Sequence, residues 1–281
     1  MGELVEAIIV GVIQGLTEFI PVSSSAHLEL APWLFGFGSS RVVGTLAFDV
    51  FLHLGTLVAL IVYFARDWVR LARAWFASIG QRRIGDDPDR RLAWLLIAAT
   101  IPAGIIGLLL EDVIEATFHG GSDAARLAIA GFLVVGAVAL WLADRFGSRQ
   151  RRLDGVTLPV ALVIGLSQAA ALMPGISRSG ATITAGLALG LTRETAARFS
   201  FLLATPITLG AGLYGSRDLF AESLTRNEWV AVVVGFAASM LAGLLAIGFL
   251  LAWLRRRSVA VFSLYRLAFA AAIVALVVAG R

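Results

Sequence analysis

The 281-residue chain contains no cysteine, which excludes a disulfide framework, a zinc-thiolate centre and a cysteine nucleophile. Lysine is absent too. All 23 basic residues are arginine, so Schiff-base chemistry through a lysine amine is excluded. Charge of any sign is scarce: 15% of the residues are charged, against about a quarter in a soluble domain. Apolar residues make up 59%, with length for roughly six to ten segments of about 20 residues, each able to cross a hydrocarbon core of about 30 Å. This is the composition of a polytopic integral membrane protein. The formal net charge of +4 does not signal nucleic-acid binding, because the arginines lie in loops between apolar runs, where membrane orientation accounts for them. Glu3 and Glu6 stand where a cleavable signal would be basic, so none is expected.

Six apolar runs predict ordinary spanning helices, at about 47–64, 92–110, 127–143, 199–213, 229–253 and 259–279. Two regions differ. Residues 4–20 run into Pro21 and Ser23-Ser24-Ser25, and the next apolar piece, 26–36, has 11 residues. Residues 157–173 run into Pro174, Gly175 and Ser177-Arg178-Ser179, followed by a short piece ending near 190. Such a piece covers about 16 Å at roughly 1.5 Å per residue, half the hydrocarbon core. Both regions therefore predict re-entrant hairpins, since broken backbone at membrane depth must be buried in protein or line a wet cavity. The expected fold class is all-α integral membrane, with six spanning helices plus two re-entrant helical hairpins.

Arginine placement orients this map. The loops 65–91, 144–156, 191–198 and 254–258 hold 16 arginines, and the opposite side holds 5. The first set is therefore expected on the cytoplasmic side, with Glu111, Asp112 and Glu115 outside. The halves are alike: "GVIQGLTEFIPVSSSAH" is echoed by "GLSQAAALMPGISRSGAT", with Gln14 and Gln168 in corresponding places. One membrane domain, 1–281, is expected to comprise repeat 1 at about 1–143 and repeat 2 at about 157–279. Three spans separate the hairpins, an odd number, so the second repeat enters from the opposite face. This is an inverted-topology repeat, in which sites form near the midplane where broken segments meet.

Glu18 lies in an apolar helix, with Gln14 one turn earlier on the same face. An intramembrane carboxylate costs at least about 2.5 kcal/mol on insertion scales, which marks it as a candidate general base or metal ligand, or else as a structural hydrogen-bonding group. Ser23, Ser24 and Ser25 can cap a helix. Three in a row before His27, at the start of a half-helix, also suit an anion, because the N–H groups and the positive dipole end point there. His27 has the chemistry of a general acid or base near neutral pH. Arg178 needs an anionic partner, and its planar fork matches phosphate or carboxylate. Ser177, Ser179 and Thr182 surround it. Together these residues describe a phosphate cradle with contributions from both halves; an internal Arg178–Glu18 ion pair is the plainer alternative. Weaker candidates are Asp49 and His53, Glu29, His119, and Arg266 beside Tyr265.

At "QGLTEFIPVSSSAH" and "PGISRSGAT" the chain resembles the undecaprenyl-diphosphate phosphatase family of the bacitracin-resistance type, and "FSFLLATP" and "LYRLAF" are similar to further family segments. The resemblance covers nearly the whole length. It implies hydrolysis of a polyprenyl diphosphate to the monophosphate plus inorganic phosphate, recycling the lipid carrier for cell-wall synthesis, with a divalent cation, Mg²⁺ or Ca²⁺. Some members carry glutamate where this chain has Gln14, so a carboxylate pair there is not required. The expected catalytic residues are Glu18, Ser24, His27 and Arg178, with Glu18 also the metal ligand. Gln14, Ser23, Ser25, Ser177, Ser179 and Thr182 are expected to bind substrate. The expected partners are the polyprenyl diphosphate and membrane lipids, with no nucleic acid, and a homodimer is open. A flippase of prenyl phosphate lipids is the alternative function, because inverted repeats with broken helices are also transporter architecture.

Overall fold

The computed structural model describes residues 2–37, 40–118, 122–221 and 224–280; His119 lies outside them. Among these residues every regular element is helical: α1 Glu3–Phe19, α2 Ser24–Phe35, α3 Leu46–Tyr63, α4 Ala65–Gly80, α5 Pro88–Phe118, α6 Asp123–Phe146, α7 Leu158–Ser167, α8 Arg178–Ala188, α9 Arg193–Ala221, α10 Arg226–Leu254 and α11 Ala260–Val278. Among the described residues five helices (α5, α6, α9, α10 and α11) are long and apolar enough to cross a membrane, or six if the α3–α4 pair, bent at a short break, is counted as one span. One element was not foreseen. The stretch after residue 64 is no loop at its start: α4 leaves α3 at 78°, with Arg66, Arg70 and Arg73 on a helix that also exposes Val69, Phe76 and Ile79. Its arginines lower the hydropathy, but their spacing is that of an amphipathic helix.

The two breaks are built alike. Helix α1 stops as Ile20 turns extended (ψ 133°) before Pro21, as expected of a residue that precedes proline. In the second half α7 tightens into a 3₁₀ turn over Gln168–Leu172 before Pro174. Each chain then re-enters a helix through a serine in the left-handed region, Ser23 at φ 78° and Ser177 at φ 72°. Ser23 Oγ accepts from the Ala26 N–H and Ser177 Oγ from the Gly180 N–H. Each capping serine also pairs with the serine two residues on, Ser25 and Ser179, at 3.2 Å. A non-glycine residue at such φ costs on the order of 1–3 kcal/mol. The caps offset part of that and fix the direction in which α2 and α8 start.

The open ends of both hairpins are tied shut. At the first, Ser40 Oγ donates to Glu3 Oε1 at 2.6 Å. At the second, the Gln150 and Arg151 N–H groups donate to the Gly190 carbonyl, and the Thr192 N–H to that of Arg151. The halves also exchange partners, since α1 packs along α10 whereas α7 packs along α5. Both contacts use a glycine where the backbones come closest. A Cβ on Gly15 would lie 2.6 Å from that of Ala242, and one on Gly165 would lie 2.7 Å from the Ala99 carbonyl carbon, distances that no side chain tolerates. Small residues draw membrane helices together in this way. Ser239 on α10 adds a cross-helix bond, donating to the Leu52 carbonyl at 2.9 Å.

Candidate active site

The tips of the two hairpins meet inside the bundle. Gly175 N–H reaches Ser25 Oγ and Ser179 Oγ reaches the Ile20 carbonyl, both at 3.5 Å. Between the tips, Arg178 Nη2 is hydrogen-bonded and ion-paired to Glu18 Oε1. The other oxygen, Glu18 Oε2, accepts from Ser24 Oγ at 2.7 Å and from Gln14 Nε2 at 3.1 Å. His53 Nε2 of α3 stands 3.5 Å from that oxygen. One buried carboxylate thus gathers an arginine, a serine hydroxyl, an amide and an imidazole, and its partners come from α1, α2, α3 and α8.

Accessibility divides the expected site residues. Ser24, Ser25, Arg178 and His53 are partly exposed, whereas Glu18 and Gln14 are buried beneath them. Ser23, Ser177, Ser179 and Thr182 are buried. Ser23 and Ser177 are spent on helix caps, and Thr182 donates to the Arg178 carbonyl at 2.8 Å and pairs with Ser200 Oγ at 2.7 Å. The structure does not bring Thr182 to the open group. The first-turn N–H groups of Ser24, Ser25, Arg178 and Ser179 have no carbonyl of their own helix to bond, so two helix starts direct donors toward the tips.

His27 is turned away from Ser24. Its Nδ1 donates to the Ser23 carbonyl and its Nε2 meets the Tyr265 hydroxyl, each at 2.7 Å, and the ring stacks on Phe269 at 4.4 Å. A carbonyl only accepts, so Nδ1 carries the hydrogen and the neutral ring accepts from Tyr265 at Nε2. Arg266 is fully buried. It donates to the carbonyls of Gly175 at 2.7 Å and Ile176 at 3.0 Å, clamping the second break from behind, and lies against Gly136.

His53 is the residue that the sequence understated. Its polar nature inside an apolar run was visible, but the approach of residue 53 to residue 18 is a tertiary fact. No group of three or more His, Cys, Asp or Glu that could hold a metal occurs among the described residues. The nearest oxygen donors are Glu18 and Gln14 Oε1, which is buried with no protein partner. A Mg²⁺ ion is commonly held by one or two carboxylates, with substrate phosphates and water completing the shell. The pair fits that partial role and no more.

Comparison with known proteins gives a consistent result. The chain is 47% identical over 265 residues, 94% of each chain, to the undecaprenyl-diphosphatase of Thermomicrobium roseum. It is 47% identical over 261 residues, 93% of each, to that of Desulforudis audaxviator. With the undecaprenyl-diphosphatase of Rubrobacter xylanophilus it shares 45% identity over 277 residues, 98% of this chain and 99% of the relative. The family model described as bacitracin resistance protein BacA matches residues 7–272, a span that takes in both breaks and every residue of the cluster, and the chain belongs to that family.

Proposed function

We propose that this protein hydrolyses undecaprenyl diphosphate, or a closely related polyprenyl diphosphate, to the monophosphate and inorganic phosphate at the bacterial inner membrane. The observation that carries the reading is the Glu18 carboxylate, bound at once to Ser24 Oγ and to Arg178. A base on a hydroxyl, with a guanidinium beside it, is the minimum apparatus for phosphoryl transfer. Family membership and the names of the relatives support the substrate class.

In this reading Glu18 takes the Ser24 proton as Ser24 Oγ attacks the terminal phosphorus. The bridging P–O bond breaks, the prenyl monophosphate leaves, and water then hydrolyses the phosphoserine to release inorganic phosphate. Arg178 shifts its fork from Glu18 to the phosphoryl oxygens, and the helix-start N–H groups stabilise charge spread over them, which is where catalysis of this reaction mostly resides. His53 faces the base and is placed to hold its charge. His27 orients the first turn of α2 through Ser23 and does not touch Ser24. A divalent cation would be held by Glu18 and Gln14 Oε1 together with substrate oxygens, and would neutralise diphosphate charge.

The architecture is that of an inverted repeat with two re-entrant hairpins, repeat 1 at about 1–143 and repeat 2 at about 157–279. The matched left-handed serines, the two tied necks and the exchange of partners between α1–α10 and α7–α5 support it. The Arg-rich loops are cytoplasmic in this arrangement. Hairpins that enter from opposite faces also favour a second reading, movement of the lipid across the bilayer. Liposomes that report phosphate release and lipid translocation separately decide between the two. Release without translocation supports the phosphatase alone, and translocation without release removes it. A trapped phosphoserine at Ser24 supports the covalent route, and full activity of Ser24→Ala excludes it.

A further inference from the structure

The arginine-rich end of the bundle holds a cavity of about 670 Å³ that the proposed reaction does not use. That size falls within the range of small-molecule sites, roughly 300–1,000 Å³. Six arginines line it: Arg70 from α4, Arg149 and Arg152 from the segment before α7, Arg193 and Arg198 from α9, and Arg255 at the end of α10. Glu194 is the one carboxylate among the lining residues.

Ion pairs hold part of this charge in place without cancelling it. Arg193 grips Asp144 with two bonds, at 2.5 and 3.0 Å. Arg70 and Arg198 share Asp67 at 3.0 and 2.7 Å, Arg70 reaches Asp89 at 3.0 Å, and Arg255 holds Glu194 at 2.9 Å. Six cations thus meet four carboxylates, an excess of two. Arg149 has only a 4.0 Å approach to Asp144, which Arg193 already occupies. Arg152 has no ion pair among the described residues, and Arg198 Nε is buried with no partner. The guanidiniums of Arg149 and Arg152 therefore keep their donors free of any close ion pair around one space. Beside them lie Thr192 and Thr195 at the start of α9, where Thr192 Oγ1 accepts from the Thr195 N–H at 3.2 Å and the first-turn N–H groups of Arg193 and Glu194 have no carbonyl of their own helix to bond. Planar forks, hydroxyls and a helix start together match the oxygens of a phosphate group.

The surroundings of this cavity suit headgroup depth. A second cavity of about 410 Å³ adjoins it through Arg70, lined also by Arg66, Val69 and Arg73 of α4. Helix α4 turns 78° from α3 and exposes Val69, Phe76 and Ile79. A helix with an arginine face and exposed apolar residues lies in the membrane surface. We propose that the arginine-lined cavity binds a phosphate group at the arginine-rich membrane surface, carried on a lipid headgroup or free as inorganic phosphate.

The test uses the purified full chain. Native mass spectrometry would follow retention of phosphatidylglycerol against phosphatidylcholine, and calorimetry would follow inorganic phosphate at low salt. Arg149→Gln combined with Arg152→Gln removes two open guanidiniums that hold no close ion pair, so the melting temperature should not move. Arg82→Gln combined with Arg83→Gln removes equal charge outside the cavity. The first double variant should weaken phosphatidylglycerol or phosphate binding by about tenfold or more, and the second should leave it unchanged. Loss confined to the lipid identifies a headgroup site, and loss confined to inorganic phosphate identifies a free-anion site. Phosphate held at the catalytic cluster is told apart by Arg178→Ala, which should leave the cavity's share intact. The proposal is overturned if the two double variants behave alike, if neither probe binds the wild-type protein, or if all binding disappears with Arg178 alone.

Discussion

Glu18 is the residue on which the proposed site turns, because Gln14, Ser24, His53 and Arg178 all bond or face its carboxylate. Replacing Ser24 with alanine should lower the rate of phosphate release by roughly a thousandfold, since in the proposed route it removes the nucleophile. Ser25→Ala should cost far less, because among the described residues the Ser25 hydroxyl bonds Ser23 and the Gly175 N–H and not Glu18. Steady-state kinetics on the two variants makes the comparison, and equal losses would contradict the assignment. His53→Ala should lower kcat by roughly ten- to a hundredfold with little change in KM, because the ring faces the base rather than the lipid. Glu18, Ser24 and Arg178 were legible because polar groups stand out in an apolar run, where each carries a cost. The distribution of roles was not. Sequence placed His27 beside the serines, but tertiary contact with Tyr265 draws its ring the other way. Thr182 likewise reads as a phosphate ligand by spacing, yet Ser200 is its partner.

At the scale of elements, the two breaks are one device used twice. Ser177 carries both a cap and a left-handed backbone, and these contributions can be separated. Ser177→Ala loses the cap and keeps the strain, whereas Ser177→Gly loses the cap but relieves the strain. The glycine variant should therefore be more stable than the alanine variant, by about 1 kcal/mol or more. Denaturation of both variants in one detergent would show this, and the reverse order would mean that the backbone at residue 177 is not left-handed. Helix lengths and proline positions made the two breaks legible. Their left-handed serines were not, because nothing in the side chain of serine announces positive φ. Helix α4 was missed for a different reason: a hydropathy reading discards a segment rich in arginine, although Arg66, Arg70 and Arg73 recur at helical spacing.

For the whole molecule, the arrangement requires the necks of the two hairpins to lie on opposite faces while their tips touch. The absence of native cysteine makes this simple to probe. Ser40→Cys and Ser122→Cys should label from outside the cell, and Ser148→Cys and Arg91→Cys only from the cytoplasmic side. Labelling of Ser40→Cys and Ser148→Cys from the same face would break the inverted repeat. The arginine distribution makes the proposed orientation legible, since a loop's charge acts without reference to its neighbours. The exchange of α10 and α5 between the halves was not, because partner choice depends on close approach at residues such as Gly15 and Gly165. In the proposed reaction both hairpin tips form one hydrolytic site. Phosphate release from undecaprenyl diphosphate by the purified wild type, Glu18→Ala and Arg178→Ala tests it most directly. The wild type should release phosphate readily and each variant should lose at least about a hundredfold, with both variants folded. Near-wild-type release by either variant would contradict it.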